Sequence, residues 1–419
     1  MRLSDNELAT VVNFEIQQAQ GYDADVLATK RANALNYYNG LMTAPAEGRS
    51  AIVSTDVTDS QHALLSQLAP IMKTTLIEFK PNGEEDEPQA QAESDFVRDA
   101  MANAQGWRTI FEAVHDAVLI ANGWLKISPE DITTVTSTDH PPGLDDIGYY
   151  MLSQPTAPNQ QVQIRASSQK TTVKRTTTKT VLSFECIPPE DMLFSEGAGQ
   201  EDIQKLRFVG QRKLYTDAQL SDMGISKEVI GRIPIGNNSN WPAARARQGI
   251  YQNDMDRQPA QDSQTLREVY CCYLLVSSAD SNMTERRYIW IGGNEILKNE
   301  SAEDVPYITG CIVPIPHRVQ GMGLYELLQT IQAGKTHILR NYMDNLSAAN
   351  GSRIGAVEGR VNMQDLTNGR INGVVRIKDA TALVPLPPTD IGPQAMAGLS
   401  YLDHVRVARV GSRDRKSVV

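Results

Sequence analysis

Apolar positions change their spacing twice along this chain, and the two changes divide it. Through the first 125 residues they recur every three or four positions, the period of helices packed on one face. Leu3, Leu8, Val11, Val12 and Phe14 mark a helix over 3–20. Asp23 stands where a second helix, 24–39, wants an N-cap, and Gly40 stops that helix. Asp56 or Ser60 caps a third, with Leu64, Leu65 and Leu68 on one stripe and an expected end before Pro70. Glu84–Glu87, between Pro81 and Pro88, reads as a solvated turn. Helices over 89–104 and 107–122 follow, the second carrying Ile110, Phe111, Val114 and Val118. Trp124–Ile127 has the pattern of a strand.

From 128 to 320 Thr, Ser, Val and Pro dominate, and the helical period is lost. Gln161–Ile187 is rich in Thr and Val, which suit a pleated, half-buried surface. Leu266–Val276 and Arg287–Ile291 predict a hairpin pair, with Gly292 and Gly293 in the next turn. Residues 231–263 hold little but polar, Pro and Gly residues and predict a long mobile loop. Helical spacing returns at Leu324 and continues through Leu327, Leu328, Ile331, Ile338, Leu339, Tyr342, Met343 and Leu346. One helix about 40 Å long accounts for it. Beyond it, 350–390 reads as a small α/β segment with strands Arg353–Glu358 and Val374–Lys378 and a Pro-rich exit. Pro393 suits the first turn of a second helix. That helix has too few residues before Gly411 to retrace the first, so it is expected to end early beside an unpaired stretch. The class is α+β, and no internal repeat is visible.

Composition narrows the function. A chain of 419 residues implies two to four structural units. Lys+Arg 40 against Asp+Glu 50 gives a net charge of −10, so a chain-wide cationic footprint for phosphates is missing. Cys186, Cys271, Cys272 and Cys311 have neither CxxC nor metal-ligand spacing, and a reducing compartment is expected. The N-terminus is polar and the longest apolar run, Tyr270–Val276, is far too short for a bilayer, so no membrane partner is expected.

Candidate chemistry is sparse. Gly334-Lys335-Thr336 invites a P-loop reading, but Gln329 stands where that loop needs its first Gly, and the segment lies inside a helical period. Gly334 reads instead as a close approach between helices, with Tyr342 and Met343 on the packing face. Gly321-Met322-Gly323 lacks the third glycine of a dinucleotide fingerprint, Glu326 being there, and reads as flexible backbone before a helix. The six histidines have no ligand spacing, Glu84–Glu87 is a solvated charge run, and no nucleophile motif occurs. No catalytic residue, cofactor or metal is expected. Arg165, Lys170, Lys174, Arg175 and Lys179 fall in a stretch with no acid from Pro155 to Phe184. On a hairpin they form a local positive face able to touch phosphate or an acidic partner. The plainer alternative is an exposed strand guarded by charge.

Several long segments resemble one family. They are RANALNYYNG and EGRSAIVSTDV within 31–57, GWRTIFEAVHDAVLIANGWLKI (106–127), IPPEDMLFSEGA (187–198) and FVGQRKLYTDAQLSDMG (208–224). The strongest are PIPHR (314–318), LYELLQTIQAGKTHILRNYMDNL (324–346), RIGAVEGRVNMQDL (353–366) and GVVRIKD (373–379). Together they resemble the portal, or head-to-tail connector, proteins of tailed bacteriophages, of the short-tailed type. The resemblance implies a structural, non-enzymatic ring, usually dodecameric, at one capsid vertex of the virion, assembled in the host cytoplasm. Double-stranded DNA enters and leaves through its channel. Its partners would be the terminase large subunit, the major capsid and scaffolding proteins, and a tail adaptor. By this resemblance 1–127 and 128–320 are the helical and β-rich parts of the wing, 321–349 the first stem helix and 350–392 the clip. Residues 393–411 begin the second stem helix. Arg353, Arg360, Arg370, Arg376 and Lys378 in the clip would face terminase and adaptor. The family continues into a tunnel loop and crown, so a truncated frame is expected, with 412–419 a non-native tail. The alternatives are a tail adaptor or other capsid-associated protein binding DNA through the 165–179 face, and a nucleotide-hydrolysing protein using Lys335.

Overall fold

The computed structural model describes residues 5–23, 27–74, 78–81, 83–141, 145–157, 159–166, 170–195, 202–236, 241–248, 264–277, 284–350, 353–368, 373–386 and 391–411. It is mixed helix and sheet. Five helices come first: α1 (Asp5–Tyr22), α2 (Ala28–Tyr38), α3 (Asp56–Thr74), α4 (Glu87–Asn103) and α5 (Gly106–Ile120). Then come β1 (Gly123–His140), α6 (Asp146–Ser153), β2 (Gln160–Ala166), β3 (Thr171–Ile187), β4 (Met192–Phe194) and β5 (Phe208–Thr216). Three short helices, α7 (Asp217–Asp222), α8 (Lys227–Arg232) and α9 (Pro242–Gln248), lead to β6 (Leu266–Ser277), β7 (Thr284–Gly292), β8 (Glu295–Ser301) and β9 (Tyr307–Gly310). The long α10 (Leu324–Asn350) precedes β10 (Arg353–Ala356), α11 (Met363–Thr367), β11 (Leu383–Leu386) and α12 (Gly392–Val410).

Two antiparallel sheets organise the middle, in the orders β4-β5-β6-β7-β8 and β2-β3-β1-β9. β6 explains the unbroken apolar run. Cys272 and Leu274 face Leu8, Val12 and Ile16 of α1, whereas Tyr273 joins Trp124, Leu27 and Ile187 on the other side. A strand covered on both faces has no reason to alternate. The predicted hairpin is β6 with β7, paired from Tyr270↔Ile291 to Ser277↔Thr284. β1 and β3 pair from Trp124↔Ile187 to His140↔Thr171 as a long arm, buried at its inner end; farther out β1 is exposed, while Thr171 and Val173 of β3 are buried. β1 passes unbroken through 127 and 128, and the helical and β-rich parts share it.

Several expected elements fall elsewhere. Asp23 is no cap; it is buried and takes the Arg31 guanidinium, while Leu27 precedes α2. Burial raises the Asp23 pKa despite the opposing pull of Arg31. α3 runs through Pro70, which sits exposed in its final turns, where the loss of one helical hydrogen bond is least costly. Part of the expected loop 231–263 is α9, which carries Pro242 at its start and buries Ala243 and Ala246 in the core beside Ala34 and Leu35. Small alanines escape an apolar-periodicity search yet are strong helix formers. Residues 237–240 and 249–263 lie outside the described residues. β10 pairs with β11, in the Pro-rich exit, and not with Val374–Lys378, where Ile377 makes one isolated bridge to Val361.

α12 returns antiparallel along α10. A methyl placed on Gly398 would lie 3.4 Å from Ile338, one on Gly334 would lie 3.6 Å from Leu402, and Arg409 donates to the Leu327 carbonyl (2.8 Å). The return helix therefore reaches the first turn of α10, contrary to the expected early end. α12 has 19 residues to the 27 of α10, and with Gly398 opposite Ile338 the shortfall falls at the far end of α10, where Met343 and Leu346 are exposed. Residues 412–419 lie outside the described residues.

Candidate functional site

Residues 41–55 are neither helix nor strand and turn once at 46–49, so most of their amides and carbonyls still need partners. One row of side chains on α10 supplies them. Val57 N–H donates to Gln332 Oε1 (2.9 Å), and Gln332 Nε2 donates to the Tyr37 carbonyl (3.0 Å). Ser54 N–H donates to Thr336 Oγ1 (3.1 Å). Arg340 donates to the carbonyls of Ile52 (3.0 Å) and Thr43 (2.9 Å). Ser50 N–H donates to Asp344 Oδ1 (2.7 Å). These four residues recur every fourth position, so they share one face of the helix. The chain from 57 back to 50 is thus laced to α10, one rung per turn. Gln332 and Thr336 are fully buried, and each is polar in a core that Leu328 and Ile331 otherwise fill.

The adjoining face holds an ion cluster. Lys335 Nζ lies 2.6 Å from Asp56 Oδ1 and 2.8 Å from Asp403 Oδ1. Arg406 stands 3.6 Å from each of the same two carboxylates. Asp56, the first residue of α3, is buried, and Ser54 Oγ also donates to it (2.6 Å). Burial works against the Lys335 ammonium, but hydrogen bonds to Asp403 and Asp56 outweigh it and hold its pKa above the usual lysine value. The cluster ties α3, α10 and α12 together. It also decides the Gly334-Lys335-Thr336 question: these residues are helical and occupied by protein groups, with no loop to cradle a phosphate.

Gly334 does admit a neighbour, Leu402 of α12. Tyr342 is half-buried, and Met343 is exposed. The glycines before α10 are close-packed, not flexible: a methyl on Gly323 would meet the Leu119 carbonyl at 2.4 Å.

The 165–179 cations are brought to one arm but not to one face. Cross-strand partners share a face, so Arg165, opposite Thr172, lies with Lys174. Arg175 and Lys179 lie on the other side, and Arg175 reaches the Leu152 carbonyl of α6 (3.4 Å). Lys170 is paired with Asp139 (2.7 Å). In 350–392, Arg376 is held by Asp365 (2.6 Å) and Arg360 by Asp379 (3.4 Å). The backbone N–H of Lys378 donates to the Arg360 carbonyl (2.9 Å), and its side chain is exposed. Arg370 lies outside the described residues, and for Arg353 only the backbone, in β10, is described.

A second ionic group escaped the sequence altogether. Arg247 of α9 donates to Glu190 (2.8 Å) and Asp116 (2.9 Å), both buried, and Arg212 pairs with Asp191 (2.6 Å) under the ring of Trp241 (4.3 Å). These bonds fasten α9 to α5 and to the turn before β4. Sequence spacing gives no hint of them, because the partners are 57 and 131 residues from Arg247.

Among the described residues, no cluster of three metal-ligating side chains occurs, and no helix is long and apolar enough to cross a membrane. The polar groups described above hold helices and extended chain in register. The family model described as phage SU10 portal protein matches residues 8–417, and the chain belongs to that family. It is a phage portal protein, a structural component of the capsid in a family of ring-forming oligomers. No curated protein matches it.

Proposed function

We propose that this chain is the subunit of the ring, usually of twelve copies, at one capsid vertex through which double-stranded DNA is packaged and later ejected. The observation that carries this reading is the family match joined to one architectural feature: a helix of 27 residues, a compact unit and an antiparallel return helix. Such a spoke suits neighbours on either side. α10 and α12 serve as the stem helices, 350–392 as the clip and 1–320 as the wing. A net charge of −10 suits a conduit that must release its polyanion, because phosphate affinity grows with the cations supplied. The clip receives the terminase large subunit during packaging and a tail adaptor afterwards, and the wing meets the major capsid and scaffolding proteins. Arg353, Arg360, Arg370, Arg376 and Lys378 are the docking candidates. Arg360 and Lys378 are the more available, since Arg376 is committed to Asp365. The test is negative-stain microscopy of the purified chain with a DNA-packaging assay in which terminase is supplied separately. Rings with an axial opening that support packaging are expected. A clean, stable monomer by light scattering overturns the reading.

A further inference from the structure

The arm formed by β1 and β3 has an open edge on each side. On one side, β9 pairs with β1 only from Gly123 to Lys126. Beyond that, among the described residues, no strand lies along β1, and its residues 129–139 are exposed. On the other side, among the described residues, β2 pairs with β3 alone.

The direction of the free backbone groups follows from two hydrogen bonds. Ile127 N–H donates outward to the Pro306 carbonyl (3.1 Å). In an antiparallel strand, residues two apart point the same way, so Asp131, Thr133, Val135, Ser137 and Asp139 offer their N–H and C=O outward. Pro129, which has no N–H, occupies an outward position too, where a proline costs the ladder nothing. For β2, Thr178 N–H donates to the Asn159 carbonyl, which sends Gln160, Val162 and Ile164 outward.

Natural edges are guarded by charge, proline or brevity. Ile132–Thr138 has no charge and no proline, and six of its seven residues are β-branched. Ile132 and Val135 are about half exposed, at 49% and 50%. Between Pro129–Asp131 and Asp139 the edge thus has seven unguarded residues, long enough to accept a strand.

We infer that the outer edge of β1 in one copy pairs with the outer edge of β2 in the next copy, joining the arms of the ring into one continuous sheet. This rests on the portal reading for the ring itself. Three observations single out the neighbouring copy as the occupant. The two open edges lie on opposite sides of one sheet, as a head-to-tail contact requires. The open stretch of β1 carries Glu130, Asp131 and Asp139 without Lys or Arg, whereas β2 carries Arg165 without an acid. Asp131, Asp139 and Arg165 also stand on the same face, by the register of both strands with β3, although Asp139 already takes Lys170. Rotational symmetry then fixes the polarity. β1 and β2 are each antiparallel to β3, so they run in the same direction, and the seam between copies is a parallel one. Antiparallel pairing of β1 with β1 would instead close a two-fold dimer.

The full-length chain tests this directly. Val135→Pro removes an N–H that β3 does not use, so the subunit should keep its circular dichroism and melting temperature while losing rings in negative stain. Thr134→Pro, which cuts the β1–β3 ladder, should lose the fold as well. Val135 and Gln163 share a face. Oxidising assembled rings of the Val135→Cys, Gln163→Cys double variant should therefore give a ladder of oligomers on a non-reducing gel, with Thr133 or Ser137 replacing Val135 to cover register. Neither single variant should give one. Normal rings from Val135→Pro, together with no ladder from any pair, overturn the seam and leave the portal reading intact. Dimers from Val135→Cys alone overturn it in favour of self-pairing, and capture of another protein's strand on that edge overturns it likewise. A wild-type chain that forms no ring overturns both.

Discussion

At Gly334 the space between α10 and Leu402 of α12 is about the size of a methyl, and the size of the replacement decides the outcome. A methyl there would lie 3.6 Å from Leu402, an ordinary contact. Gly334→Ala should raise stability by up to about 1 kcal/mol, because alanine is the better helix former. Gly334→Leu should lower it by about 1–3 kcal/mol through overpacking. Thermal melts of the two variants check the pair, and equal melting of the leucine variant would rule out the contact. Lys335→Met takes the nearer cation from buried Asp56 and leaves it Arg406 and the Ser54 hydroxyl, and it should cost up to about 3–5 kcal/mol in a denaturant titration, with no effect on terminase ATPase rates. The thiols provide a third check. Burial pushes the Cys186 and Cys271 thiols up to about 12 and Cys272 well above the ordinary value. Iodoacetamide at pH 8 should spare all three until denaturant is added. That Gly334 faces a neighbouring helix follows from its place in a long apolar period, but the 3.6 Å left for a methyl beside Leu402 means that the neighbour does not require a glycine there. The partner of Asp56 was not legible, since a carboxylate at a helix start looks the same whether it caps its own helix or receives a lysine about 280 residues away.

Between elements, the row Gln332, Thr336, Arg340 and Asp344 makes the firmest link. Gln332→Ala strands the Val57 amide in the core, leaves the Tyr37 carbonyl with only the Gly40 N–H, and should cost about 1–3 kcal/mol. Arg340→Ala, at a more exposed rung, should cost less. Hydrogen exchange over 50–57 should quicken in both variants, and unchanged protection there would show that the lacing is not structural. The compact unit after α10 answers to acid. Hydrogen bonds from Arg376 hold the Asp365 pKa below the usual carboxylate value, so their contribution is in force above that value and is lost as pH falls through the depressed one. Burial raises the pKa of Asp23 and of Asp191, against Arg31 and Arg212, so their contributions have the opposite sign and are lost as pH rises. Acidification should therefore loosen 363–378 before it loosens the ends of α1 and β4, which exchange at stepped pH can follow. α10 and the β6–β7 hairpin were legible because their apolar patterns are long. α9 was hidden by small alanines, and β11 by Pro385 in an edge strand. The outer half of β1 was hidden because exposed threonines show no alternation.

For the whole molecule, the α+β class and the portal family were both legible, the first from the switch between periods and the second from long matched segments. What periodicity could not convey is which distant segments meet, because ion pairs and lacing carry no repeat. Charge reversal at Arg360 tests the docking surface at this scale. Arg360 is exposed and its pair with Asp379 is loose, so Arg360→Glu should leave rings intact and reduce terminase recovery in a pull-down. Unchanged recovery would mean that the side chain is merely solvated. The lacing of 50–57 also sets a timetable for synthesis. Val57 and Gln332 are 275 residues apart, and Ser50 and Asp344 294. At about 5–20 residues per second, the extended segment leaves the ribosome roughly 15–60 s before any rung it will hang on. During that interval its amides have only water, and the apolar side chains of α2, α3 and α5 that α10 will cover stand open. The early chain must therefore wait, soluble and unfinished, for a helix near its far end, and chaperone demand should fall on this interval more than on the finished subunit.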